Sequence, residues 1–210
     1  MAININTIYT TVNAFMVQST GGAYTPQAFN NACFLGETSI YSDDRARNGD
    51  SIEVINELLP FLATFNPPQA ATGIYSLPSD YFRYLTVNQI VQGSQEQEVS
   101  ILSATKWANR SVNQTVSRIR NPISNFYTVS GVKSLRVLPT TLTVKMYYFK
   151  QLIPAVWGFT SVNDKPVYDA GTSTNSMLDE AHFPELVYRI VSAMGVNVEK
   201  ELVLQYINTK

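Results

Sequence analysis

Apolar residues recur at helical spacing near the start of the chain, at Ile5, Ile8, Val12 and Phe15, and this predicts a first helix. After Gly21-Gly22, Thr25 and Pro26 have the character of an N-cap and first helical residue, and Phe29, Ala32, Cys33, Gly36 and Ile40 continue the stripe of a second helix. Asp50 and Glu53 have capping-box spacing ahead of Ile52, Ile55, Leu58, Leu59 and Leu62, which predicts a third helix ended or kinked by Pro60. Beyond Asn66-Pro67-Pro68 the period changes to alternation, with β-branched and aromatic residues. The best strand runs from Leu142 to Phe149, and its expected partner is Val132 to Leu138. Leu85 to Val91 and Val99 to Leu102 read as further strands, with Ser103 capping a short helix through Trp107. Antiparallel pairing is expected throughout.

From Asp164 to Ser176 the chain is polar and carries Gly171, which predicts an exposed loop or arm. Helix returns with Pro184 at a first helical position, Leu186, Val187, Ile190, Val191 and Met194 on the apolar face, and Gly195 just past the end. Asn197 is placed to cap a final helix through Val198, Leu202 and Tyr206. The expected fold is therefore α+β. Helices of residues 1–68 and of 161–210 would join in one bundle, the latter segment also carrying the arm, and a β-rich antiparallel domain would occupy 69–160.

Composition sharpens this picture in two ways. The 210 residues are 45% hydrophobic, enough for a substantial core, and the formal net charge is only −1. That charge is segregated: residues 1–70 hold two basic and six acidic side chains, 71–160 hold nine and three, and 161–210 hold four and seven. Between Val99 and Asn163 there is no Asp or Glu, while Lys106, Arg110, Arg118, Arg120, Lys133, Arg136, Lys145 and Lys150 lie there. Docking on an acidic protein surface is the functional reading of that block; solvation of a β-surface is the ordinary one, and nucleic-acid contact with help from Trp107, Phe126 and Tyr127 is a third. Twelve Tyr and ten Phe, with Tyr24, Tyr41 and Tyr168 in predicted loops, suit surfaces buried against neighbouring subunits.

The chain is poor in catalytic parts. It has one histidine and one cysteine, so no intramolecular disulfide is possible. His182 follows Asp179 and Glu180, but structural zinc takes four Cys or His ligands and catalytic zinc three protein ligands, so first-turn acidic residues at a helix N-terminus are the simpler reading. Cys33 on an apolar stripe reads as core. No glycine-rich phosphate loop, Gly-x-Ser-x-Gly or His-Glu-x-x-His occurs, and no catalytic residue, metal or cofactor is expected. The N-terminus lacks a basic-then-apolar leader and no run of about eighteen apolar residues exists, so no membrane association is expected and Asn109 and Asn113 read as chance glycosylation triplets.

Three stretches carry a resemblance. Tyr24-Thr25-Pro26-Gln27-Ala28-Phe29-Asn30 with Ala32 is the first; Ile74 through Leu85, containing Leu77-Pro78-Ser79-Asp80-Tyr81, is the second. The third comprises Tyr127-x-Val129-x-Gly131, Leu135-x-Val137-x-Pro139, Val144 to Lys150 with Pro154, then Pro166-Val167-Tyr168-Asp169 and Phe183 through Gly195. In this order they resemble the head-to-tail connector, or portal adaptor, ring proteins of tailed bacteriophages, of the short-tailed and crAss-like type. The resemblance implies a virion neck protein assembled in the host cytoplasm as a homo-oligomeric ring, a dodecamer matching the portal. It would bind the portal protein above and tail or further ring proteins below, while DNA passes through the lumen without specific binding. Lys106, Arg110, Arg118, Arg120, Tyr168 and Asp169 are the candidate subunit or partner interface. The alternative is a tail-associated carbohydrate-binding module or enzyme of the virion, although Asp80, Glu96 and Glu98 are the only carboxylates of the β segment and glycosidases normally use a placed pair.

Overall fold

The computed structural model describes residues 2–20, 24–46, 58–68, 72–91, 95–112, 122–129, 131–196 and 199–208. The chain forms two compact units, one of Met1–Phe61 with Leu152–Lys210 and one of Leu62–Gln151.

The first unit holds β1 (Ala2–Ile3), α1 (Ile5–Thr20) and α2 (Pro26–Ala46), and it is completed from the far end of the chain by the elements after Gln151. Asn4 starts α1 by accepting the backbone N–H groups of Asn6 and Thr7 at 2.8 and 3.3 Å. The predicted stripe of Ile5, Ile8, Val12 and Phe15 is buried. Thr25 Oγ1 accepts the Ala28 N–H at 3.2 Å, so the Thr-Pro pair does cap α2. Phe29, Ala32, Cys33 and Ile40 line its buried face. A Cβ added at Gly36 would come within 3.2 Å of Leu186, which is how α2 comes close to the later helix carrying Leu186, Val187, Ile190 and Val191.

The second unit contains β2 (Leu62–Phe65), β3 (Ile74–Ser76), β4 (Tyr81–Val91), β5 (Gln95–Glu98), β6 (Ser100–Ile101), α3 (Ala104–Val112), β7 (Ile123–Val129), β8 (Val132–Leu138) and β9 (Val144–Lys150). These strands make two four-stranded sheets, ordered β2-β9-β4-β5 and β3-β8-β7-β6. Tyr75, Val87, Val99, Leu135, Val137, Val144, Met146 and Tyr148 form the core, drawn from both sheets. Along β9, Val144, Met146 and Tyr148 are buried in alternation, the period-two signature of a strand with one face inward.

Back in the first unit, β10 (Phe159–Val162) and β11 (Lys165–Tyr168) form a hairpin, β12 (Ser176–Asp179) pairs with β1, and α4 (Phe183–Ala193) and α5 (Lys200–Asn208) follow. Gly195, with φ +85°, stands just beyond α4 as its position in the sequence suggests.

The α+β class with several antiparallel sheets is what the structure shows. The terminal helices do not stand as a flanking bundle: α4 lies against α1, α2 and α5, but β1–β12 and β10–β11 share their unit, and Ala155, Trp157 and Leu178 from its non-helical segments are buried as well. Four further expectations change. β9 pairs with β4 and β2 rather than with β8, because both edges of β8 are occupied by β3 and β7. β6 and β7 run parallel, joined through α3. Leu62 opens strand β2 instead of ending a helix, after a 3-10 turn at Leu59–Phe61; Asp50, Ile52, Glu53 and Ile55 lie outside the described residues, as does Asn197. The exposed arm begins as strand, since Lys165–Tyr168 pairs with Phe159–Val162.

Candidate interaction surface

In the first unit, an aromatic corner fixes the segment from which the hairpin leaves. Tyr9 of α1 stacks on Trp157, with centroids 3.8 Å apart and planes at 11°, and Phe29 of α2 meets Tyr9 edge-on at 5.0 Å. Trp157 Nε1 donates to Asn6 Oδ1 at 3.1 Å. Asn30 brackets the same residue's backbone, accepting its N–H at 2.8 Å and donating to its carbonyl at 3.3 Å. The amide side chain thus pairs with the Trp157 backbone as a strand would and ties it to α2, while Asn6 and Tyr9 tie the ring to α1.

The hairpin then reverses at Asn163 and Asp164, whose φ values of 50° and 59° suit side chains that tolerate the left-handed region. Tyr168 returns to within 6.0 Å of the Trp157 ring, and Asp169 organises the following loop by accepting from Gly171 N–H at 2.9 Å and Thr172 Oγ1 at 3.0 Å. Gly158 and Thr172 cross so closely that a Cβ on Gly158 would lie 2.6 Å from the Thr172 carbonyl carbon. Tyr168 and Asp169 therefore form the base of the hairpin.

Among the described residues, Glu37 and Asp44 are the buried acids of this unit. Glu37 accepts the Ala155 N–H at 2.9 Å and the Ser176 hydroxyl at 2.5 Å. Burial raises its pKa above the usual glutamate value, and the two hydrogen bonds offset part of that rise. Asp44 lies 3.0 Å from His182 Nε2, both side chains being nearly buried, so the histidine ties the end of α2 to the turn before α4. Nearby on the surface, Arg189 bridges Glu185, Asp43 and Ser39. Burial also pushes the Cys33 thiol far above its ordinary pKa, the state of a core side chain rather than a nucleophile.

In the second unit, Lys106 and Arg110 stand exposed one turn apart on α3, which Ser103 begins by accepting the Lys106 N–H at 3.4 Å. Buried Trp107 between them covers Arg136, whose guanidinium lies 4.7 Å from the Trp107 ring and 4.7 Å from the Tyr127 ring. Arg136 Nε donates to Asn125 Oδ1 at 3.2 Å. A second aromatic array joins the sheets: Tyr84 stacks on Phe126 at 4.6 Å and 10°, and Tyr81 lies 6.1 Å from Phe126, with Lys133 5.6 Å from the Tyr81 ring. At the sheet edge Glu96 accepts from Lys145 at 2.6 Å, Asn88 at 2.8 Å and Tyr147 at 3.0 Å. Hydrogen bonding to Lys145 leads the causes that lower the Glu96 pKa.

Of the predicted interface residues, Lys106 and Arg110 belong to the sheet-rich unit, Tyr168 and Asp169 to the helical one, and Arg118 and Arg120 lie outside the described residues. Glu37 and the Asn30–Trp157 clamp have partners more than a hundred residues away, and Arg136 is visible in the sequence only as a member of the basic block, without its Trp107 and Tyr127 rings. The three charge blocks resolve into two: the helical unit holds six Lys and Arg against thirteen Asp and Glu, or −7, and the sheet-rich unit nine against three, or +6.

Among the described residues no three His, Cys, Asp or Glu are grouped to hold a metal ion, and no helix is long and apolar enough to cross a membrane. No protein-family model matches the chain, and no curated protein matches it.

Proposed function

We propose that this chain is a non-enzymatic structural subunit of a phage neck ring, joining the portal to the tail and allowing DNA through its lumen. The observation that carries the reading is the division of charge between two compact units, −7 on one and +6 on the other, in a chain whose total is only −1. A head-to-tail contact between copies joins unlike surfaces and closes into a ring when the rotation permits. Opposite charge on the two units favours that contact over like-with-like pairing. The near-neutral total suits a lumen that must release DNA, since each phosphate neutralised would add salt-dependent affinity. The ordered resemblance to connector proteins supplies the place in the virion and the partners: portal above, tail or further ring proteins below, in a virion assembled in the host cytoplasm.

Negative-stain electron microscopy of the full chain, alone and mixed with the portal protein of the same phage, tests this. Closed rings or decoration of one portal rim are expected. Isolated monomers that leave the portal bare would overturn it. The exposed Tyr84 edge, stacked on Phe126, favours a second reading as a carbohydrate-binding module of the virion tail. Binding of the chain to host surface glycan, lost on Tyr84→Ala, with no ring formation, would select that reading.

A further inference from the structure

Strands β10 and β11 make a two-stranded sheet of their own, and every residue of Phe159–Val162 is exposed. Thr160 pairs with Val167 and Val162 with Lys165, so these four share one face, while Phe159, Ser161, Pro166 and Tyr168 share the other. The second face is anchored at its base, where Phe159 and Tyr168 lie 5.9 and 6.0 Å from Trp157. On the first face Val162 is 51% and Val167 46% exposed. A two-stranded hairpin is marginal in water by itself, and two apolar side chains set diagonally on one exposed face, Val162 and Val167, are a contact surface in search of cover.

The sheet-rich unit displays a matching feature. Among the described residues, β5 pairs with β4 only over Asn88–Val91 and Val99 N–H extends the contact to the Val87 carbonyl, so the part of β4 from Tyr81 to Thr86 has β9 on one side alone. The register skips at Phe82 and at Leu85 in that part, and these bulges turn Leu85 outward, 43% exposed, beside exposed Arg83 and Tyr84. Bulges discourage backbone pairing by another strand, which leaves side-chain packing as the way to cover this stretch.

We infer that the β10–β11 hairpin is a docking arm whose Val162 and Val167 seat on the Arg83–Leu85 stretch of β4 in a second copy of this chain. Charge selects that occupant: the hairpin belongs to the unit carrying −7, with Asp164 at its tip, and the receiving stretch belongs to the unit carrying +6, beginning with Arg83 and preceded by Tyr81, whose ring lies 5.6 Å from Lys133 Nζ. Lys165, the cation of the hairpin, is offset by its neighbour Asp164. Like units would repel, whereas hairpin to β4 repeats head-to-tail. The inference rests on the ring reading and names its contact.

Sedimentation velocity on the full chain tests it, with Asp164→Lys, Arg83→Asp and their equimolar mixture, and circular dichroism to confirm folding. The wild type is expected to self-associate and each single variant to do so about tenfold or more weakly, the scale for a close charge pair at an interface. The mixture is expected to recover association, because the reversed tip then meets the reversed patch. Rescue by mixing is a result that distortion of the turn at position 164 cannot produce. Val162→Ser with Val167→Ser should weaken association in the same range and stay unrescued. Single variants that assemble like the wild type would overturn the docking arm while leaving the ring intact, and so would loss of assembly in both variants without rescue. A wild-type chain that stays monomeric would overturn the ring reading and the arm with it.

Discussion

Glu37 offers a quantitative test of how the helical unit is held together. Its carboxylate, fully buried on α2, is the acceptor for two groups from other segments, the Ala155 N–H at 2.9 Å and the Ser176 hydroxyl at 2.5 Å. Glu37→Ala removes both acceptors at once and leaves an amide and a hydroxyl buried. At about 1–3 kcal/mol for each unsatisfied group, the loss is about 3–5 kcal/mol once the vacated volume is included. For a chain of this size that lowers the melting temperature by roughly 10 °C. Glu37→Gln keeps an acceptor for Ala155 and presents an N–H to Ser176 Oγ, so its cost is within about 1 kcal/mol. The two variants also separate in pH dependence. Burial raises the folded pKa of Glu37 above its unfolded value, so folding favours the protonated form. Its contribution is greatest below the ordinary glutamate pKa and declines as pH rises through that value to the raised folded one. Thermal melts followed by circular dichroism from about pH 4 to about pH 8 read both effects. The wild type is expected to carry this component of the slope and Glu37→Gln to lack it. An Ala variant melting within about 1 °C of wild type, or a Gln variant with the unchanged slope, would show that Glu37 does not hold these segments together.

Other consequences follow from the same geometry, and one tryptophan in each unit makes them readable by fluorescence. Arg136→Ala is expected to cost about 2–3 kcal/mol by removing the cation held between Trp107 and Tyr127 and the bond to Asn125, with a shift in Trp107 emission; Arg136→Lys should recover part of the stability in urea melts. Asn30→Ala strips both backbone bonds from Trp157, so it should cost about 2 kcal/mol and speed proteolysis between residues 155 and 175, and unchanged cleavage would count against the clamp. Gly158→Ala drives a Cβ into Thr172 Oγ1 and to 2.6 Å from the Thr172 carbonyl carbon, an overpacking cost of about 1–3 kcal/mol that Thr172→Ala should relieve only in part because the backbone clash remains.

The helices were legible because their signals are local. Thr25 caps α2 and the stripes of α1 and α2 are buried where the spacing puts them. Strand β9 was legible for the same reason, but its neighbours were not, since pairing with β2 and β4 is decided by segments as far away in sequence as Leu62 is from Phe149. The start of β4 was hidden by its own bulges: the skips at Phe82 and Leu85 break the alternation that would have extended the strand back from Leu85 to Tyr81. Lys165–Tyr168 read as a loop because Asn163-Asp164 and the polar residues beside it carry turn character, which the hairpin uses for its reversal. Glu37 sits four residues beyond Cys33 on the same buried face, and nothing near it in sequence announces Ala155 or Ser176. The charge blocks were visible in the sequence; that the two acidic blocks fold into one unit is a property of the tertiary structure.

The proposed ring depends on self-assembly of this chain through surfaces of opposite charge. Sedimentation velocity of the full wild-type chain over a series of salt concentrations measures this most directly. One closed oligomer is expected at low salt, its population falling as salt rises, because exposed charges separated by more than the screening length cease to attract. A chain that remains monomeric at every salt concentration, or an oligomer indifferent to salt, would contradict it.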